Sequence, residues 1–277
     1  MKILIIKLAA RGDVLRTTSI LYGLKEKYRN NEIYWLTEKE SIPLLVNNVY
    51  INKVLSLDKK TAGKLKNEFF DIVINLDEDF EACKLTSELK TKKLIGFYLE
   101  NNKIIPTPTA KEWYGMSALG KRPQNDILKK ANKKTYQQIM FEILDIKPKI
   151  SDITYRLNKS QKQYAKDFVR RFNLDLSKDI IIGLNTGSGG RWPGKMLSVD
   201  KTAKLAEELY KRLNAKIILF GGKEEYIRNN EITALANVPI INPGVGNDLF
   251  EFPALISLCD LFITSDSLGM HLAITLK

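Results

Sequence analysis

The chain has 277 residues, 44% hydrophobic and 27% charged, and Lys+Arg 44 against Asp+Glu 32 gives a formal net charge of +12. These proportions exclude a largely disordered chain, and the length suits about two domains of ~140 residues, each with its own core. The positive balance favours anionic partners (nucleotides, phosphorylated glycans, anionic lipid or nucleic acid), or else serves solubility alone.

Cys83 and Cys259 stand far apart, with no CxxC or Cys/His spacing, so no structural zinc site is expected and a reducing compartment fits. The N-terminal MKILIIKLAARGD is too short and too polar for a signal peptide or a membrane span, and no other stretch approaches 18 apolar residues. A cytoplasmic protein is expected.

In chain order, KILIIKL (2–8) is apolar and β-branched, which predicts a buried parallel strand. The loop AARGD (9–13) follows, then one helix over 14–28, with apolar residues recurring at helical spacing. Strands are predicted at 32–36, 51–57, 71–77 and 92–99, with a short helix at 41–46. This β-α alternation argues a doubly wound sheet covered by helices on both faces. From 100 to 135 no period is visible, and an irregular loop region is expected. It is basic: between 111 and 135 stand Lys111, Lys121, Arg122, Lys129, Lys130, Lys133 and Lys134 against Glu112 and Asp126.

A helix is predicted at 135–146, a connector with a strand at 147–157, and a helix at 158–174 with Asn158 as N-cap and Gln161 completing a capping box. A second α/β series then begins: strands at 179–185, 215–222, 238–244 and 260–266, and helices at 198–213, 223–236, 249–259 and from 267. Two Rossmann-like halves result, 1–156 and 157–277, the second reading as incomplete because its last helix has no strand after it.

Ligands of such sheets bind at the carboxyl ends of the strands. Asp13 follows the first strand, either as a general base or as the N-cap of the next helix, and both can hold at once. TGSGGRWPGK (186–195) combines glycines that admit a phosphate with Arg191 and Lys195 to neutralise it, or is a surface loop whose glycines make turns. Glu225 in GGKEE either takes ribose hydroxyls or, as the plainer reading, is an acid of a helix's first turn. TSDSLGMHLA (264–273) holds the single histidine, His271, with Asp266, Ser267 and Gly269 at a helix start. That segment meets an anion, or Asp266 or Ser267 is a plain cap and His271 packs.

Taken together, MKILIIKLAARGDVLRTTSILYGLKEKY, GLNTGSGGRWPGKMLSVDKTAKLAEEL, KIILFGGKEE and LISLCDLFITSDSLGMHLA resemble the heptosyltransferase family of glycosyltransferases, family 9. Two departures stand out: Ala9 and Ala10 replace serines, and Leu268–Gly269 replaces a Gly-Pro pair. The resemblance implies a GT-B fold, two Rossmann-like domains with parallel sheets facing across a cleft, with the donor-binding domain truncated here. It implies an inverting, metal-independent transfer of a sugar, heptose from ADP-heptose above all, onto a lipopolysaccharide-core or other envelope glycan. Asp13 is then the catalytic base. Thr186, Gly187, Ser188, Arg191, Lys195, Glu225, Asp266, Ser267, Gly269 and His271 hold the nucleotide sugar, which is substrate, so no cofactor and no metal are expected. Lys121, Arg122 and Trp113 would meet an anionic glycan or glycolipid acceptor, with peripheral contact to the inner membrane face and no nucleic-acid partner. A non-catalytic glycan- or nucleotide-binding module and a nucleotide-sugar epimerase of the same fold remain the alternatives.

Overall fold

The computed structural model describes residues 1–117, 123–187, 193–244, 246 and 248–276. They form two compact units, Met1–Thr154 and the part from Tyr155 onward.

In the first unit β1 (Lys2–Ile6) leads to α1 (Arg11–Thr17) and α2 (Ile20–Lys27), then β2 (Glu32–Thr37), β3 (Lys53–Ser56), α3 (Lys59–Asn67), β4 (Phe69–Asn75), α4 (Phe80–Glu88), β5 (Lys90–Glu100) and β6 (Lys103–Pro106). Three helices follow: α5 (Lys111–Ser117), α6 (Pro123–Ala131) and α7 (Tyr136–Leu144). One sheet runs β3-β2-β1-β4-β5-β6, parallel except for β6. The central strand is buried on both faces, so Ile3, Leu4, Ile5 and Ile6 are all fully buried, as a run of continuous apolar residues demands.

Three expectations fail here. The helix expected over 14–28 is two helices. Thr17 Oγ1 donates to the Asp13 carbonyl at 2.6 Å and Thr18 Oγ1 to the Leu15 carbonyl at 2.7 Å, so the Thr-Thr-Ser run competes for the carbonyls of the turn before it. The region from 100 to 135 is not irregular: it holds β6, α5 and α6. The signal missed was Asn101–Asn102, both with positive φ (48° and 56°), which make a two-residue turn between Glu100 and its partner Lys103. Finally, 147–157 carries no strand.

The second unit starts with α8 (Lys159–Arg171), capped by Asn158 and Gln161 in the expected reciprocal box. β7 (Ile181–Asn185), α9 (Val199–Leu213), β8 (Lys216–Phe220), α10 (Tyr226–Leu235), β9 (Ile240–Ile241), α11 (Glu251–Ile256), β10 (Leu261–Ile263) and α12 (Leu268–Thr275) follow. Four parallel strands run β10-β7-β8-β9. One face packs Ile182, Leu184, Ile217 and Leu219 against Ala203, Ala206 and Ile232. On this unit an aromatic cluster of Phe220, Phe252 and Phe262 has centroids 5.0–6.4 Å apart. Gly183 is obligatory: a Cβ there would lie 2.6 Å from Phe262 and 2.8 Å from Phe220.

Candidate active site

A doubly wound sheet opens a ligand crevice where its strand order reverses. In the first unit the reversal lies between β1 and β4, in the second between β7 and β10.

Lys7, Leu8 and Ala9 leave β1, and Asp77 and Glu78 follow β4. Asp77 Oδ2 accepts from the Leu8 amide at 2.8 Å, the Ala9 amide at 3.3 Å and Lys7 Nζ at 3.4 Å, tying the two strand ends together. Lys7 is only 8% exposed. Burial works against its ammonium, but Tyr136 and the Asp77 and Asp13 carboxylates outweigh it and hold the group above the ordinary lysine value. Burial likewise pushes the Glu78 carboxyl up, against hydrogen bonds from Ser117 and Trp113.

Asp13 lies inside the first turn of α1, whose N-cap position is Ala10. Its Oδ1 pairs with Arg16 Nη2 at 2.8 Å, and the Arg16 guanidinium lies 3.7 Å from the centroid of the Tyr136 ring. The Tyr136 hydroxyl is 2.6 Å from Thr17 Oγ1. Thr17 gives its own proton to the Asp13 carbonyl, so Tyr136 is the donor in that pair. Asp13, Arg16, Tyr136 and Thr17 thus close a ring that fixes the carboxylate. Oδ2 is bonded to no described residue. Trp113 sits edge-on to Tyr136 at 5.5 Å.

In the second unit a cavity of about 150 Å³ opens at the ends of β7 and β10, lined by Asn185, Thr186, Gly187 and Ser265 together with Lys195 and Arg228. Asn185 Nδ2 donates to Thr264 Oγ1 at 2.9 Å and to Ser267 Oγ and the Gly187 carbonyl at 3.3 Å. Thr186 is buried, its hydroxyl 3.0 Å from the Phe220 carbonyl and 2.5 Å from Asn229 Oδ1. Lys195 Nζ pairs with Asp266 Oδ2 at 3.0 Å, and both side chains are well exposed. Ser267 stands at the N-cap position of α12 without capping it. Its hydroxyl is 3.1 Å from Thr264 Oγ1 instead. Gly269 lets the helix approach: a Cβ would meet Phe262 at 3.1 Å and Asn185 at 3.3 Å. Half-buried His271 closes the first turn of α12.

A sequence profile described as "Glycosyltransferase family 9 (heptosyltransferase)" matches residues 59–277, more than half of the chain. The chain belongs to glycosyltransferase family 9. Lipopolysaccharide core heptosyltransferase OpsX of Haemophilus influenzae is 33% identical over 101 residues, which span 34% of this chain and only 29% of that enzyme. Among solved structures, a family 9 glycosyltransferase of Veillonella parvula superposes with a TM-score of 0.79 at 20% identity, over 99% of this chain and 78% of that one. Escherichia coli ADP-heptose lps heptosyltransferase II gives 0.72 at 19% identity, over 100% and 82%. The α/β fold with parallel sheets is that of the family's GT-B structures.

Against this family, the structure brings Thr186, Gly187 and Lys195 to one cavity, with Asp266, Ser267 and Gly269 at its β10–α12 edge. Asp13 is not an N-cap, and it lies outside the matched span. Glu225 is 7% exposed, and its Oε2 accepts the Gly222 amide at 2.7 Å, closing its own turn. A Cβ on Gly187 would stand 2.7 Å from that carboxylate, so the glycine makes room for it. Trp113 joins the Asp13 ring through Tyr136. Ser188, Arg191, Lys121 and Arg122 lie outside the described residues. Sequence reading missed Lys7, Asp77, Asn185 and Arg228. The first three end or follow strands at the reversal points and were findable by that rule, whereas Arg228, on α10, and Tyr136 gave no local signal.

Proposed function

We propose that the protein transfers a sugar from a nucleotide-activated donor to a cell-envelope glycan, with inversion and without a metal. The donor is ADP-heptose and the acceptor a lipopolysaccharide-core glycan, by likeness to the named enzymes. The observation that carries the reading is Asp13, one carboxylate oxygen held by Arg16 and the other open. Asp13 Oδ2 takes the proton of an acceptor hydroxyl. That hydroxyl's oxygen bonds to the sugar's anomeric carbon as the bond to the diphosphate breaks, and the electron pair leaves with the nucleoside diphosphate. A positioned base of this kind contributes about 10²–10⁴-fold. Lys195, Arg191, His271 and the amides at the start of α12 meet the leaving charge. The enzyme works in the cytoplasm against the inner membrane face, where a lipid-linked acceptor is presented.

Melting temperatures with ADP, UDP, GDP, CDP and NAD test the donor side. A ligand at about one hundred times its dissociation constant stabilises the folded state by ~2.7 kcal/mol. A shift with ADP alone is expected. A shift with another nucleoside diphosphate would change the sugar, and no shift with any would remove the transferase reading.

A further inference from the structure

We propose that α6 and the lysines beside it dock the first unit on an anionic lipid bilayer. The contact rests on the transferase reading only for its purpose, which is to bring the enzyme to a membrane-linked acceptor. α6 is built inside out. None of its nine residues is buried. Ile127 is 66% exposed and Leu128 50%. Pro123, Ile127 and Ala131 recur every fourth residue, so they share one stripe of the helix, and all three are exposed. The side toward α5 is held by Asn125, which donates to the Gly115 carbonyl, and by the tip of Leu128, 3.2 Å from where a Gly115 Cβ would stand. A helix made to cover a core shows the opposite arrangement, apolar inward and polar outward.

Lys129 and Lys130 occupy the last turn of α6, and Lys133 follows; all three are exposed and make no ion pair with a described residue. Lys134 differs, being held by Glu112 and Glu142. Lys130, three residues after Ile127, adjoins the apolar stripe, and Lys129 and Lys133 flank the helix end, so this exposed end of the unit is apolar and cationic at once. A second copy of the chain would set these lysines against themselves. A polyanion such as RNA would take the lysines and leave Ile127 and Leu128 in water. An anionic bilayer takes both, the side chains at the acyl boundary and the lysines among the headgroups. The patch is also linked to the candidate base by contacts within the unit: α6 packs on α5, Trp113 of α5 abuts Tyr136, and Tyr136 carries the guanidinium that holds Asp13.

The test is co-sedimentation of the full chain with vesicles of phosphatidylcholine alone and of phosphatidylcholine with phosphatidylglycerol, at about 0.15 M salt. Anionic vesicles should bind at least about tenfold more tightly than neutral ones. Ile127→Asp and the pair Lys129→Glu, Lys130→Glu should each lower that binding about tenfold, with unchanged melting because none of these side chains is buried. Lys201→Glu, on an exposed position of α9, is the charge control and should leave it within about twofold. Equal binding to both vesicle types, no binding, or anionic binding that survives the α6 variants would overturn the proposal. So would RNA binding or dimerisation that Ile127→Asp abolishes in the absence of vesicle binding. The ADP melting shift is read separately, so failure here and failure of the transferase reading are distinguishable.

Discussion

The two strand-end crevices share a topology and differ in chemistry. At β1 and β4 the groups are charged and paired inside the fold: Asp77 holds Lys7 and two amides, and Arg16 holds Asp13. At β7 and β10 they are hydroxyls, amides and glycine, with Asn185 linking Thr264, Ser267 and Gly187 and with Lys195 and Arg228 lining the cavity. The first arrangement suits the movement of one proton, because a fixed carboxylate needs a fixed counter-charge. The second suits a bulky anion, because small residues and N–H groups admit it closely. Two sheets of different size thus present different chemistry at the same kind of place, the strand ends beside a reversal of strand order.

The sharpest way to break this contrast is Asp13→Asn. Transfer of heptose should fall about 10²–10⁴-fold while the ADP melting shift is kept. Activity within a fewfold of wild type would strip the first crevice of its assigned task. Next in size, Arg16→Met should lower kcat about tenfold or more by letting the carboxylate wander, with KM for ADP-heptose unchanged and partial recovery in Arg16→Lys. A parallel change in KM would mean that Arg16 binds donor instead. In the second crevice, Lys195→Met should weaken ADP about tenfold in calorimetry, as expected for one lost charge-assisted contact, and leave the melting temperature without ligand nearly unchanged.

The smallest effect concerns Glu78. Its folded-state pKa is raised by burial, so the native state prefers the proton, and the ionised form destabilises at pH above the raised value. That penalty is relieved as pH falls through it. Glu78→Gln should therefore melt higher than wild type at pH 8, on the order of 1–3 °C, with the gap closing toward pH 5. A gap that does not change with pH would assign the effect to packing.

Much of the frame was legible in the sequence because its signals are local. The apolar run of β1 and the Asn158–Gln161 box need only neighbours in the chain to be read. The split of α1 from α2 was hidden because the hydroxyls of Thr17 and Thr18 overrode a helical period. β6 was hidden because it is short and its one marker, the Asn101–Asn102 turn, lies in a stretch without a period. For the candidate site, residue type and position after a strand pointed to Lys195, Asp266 and Asp13. They could not show that Tyr136, far away in the chain, stacks on the Arg16 guanidinium that holds Asp13, since that depends on how α7 packs on α1. Residue type likewise could not show that Glu225 Oε2 closes its own turn on the Gly222 amide.

On the transferase reading, the Lys195–Asp266 bridge makes ligand entry a competition between anions. A diphosphate arriving at Lys195 does not meet a bare cation; it must displace a carboxylate already bound there. A ligand with a single phosphate gains too few new partners to win that exchange, whereas one that also reaches the amides of α12 and the cavity wall can. On that reading, Asp266→Asn should make inorganic phosphate a better competitor of ADP than it is for the native protein, by at most the ~1 kcal/mol of an exposed ion pair.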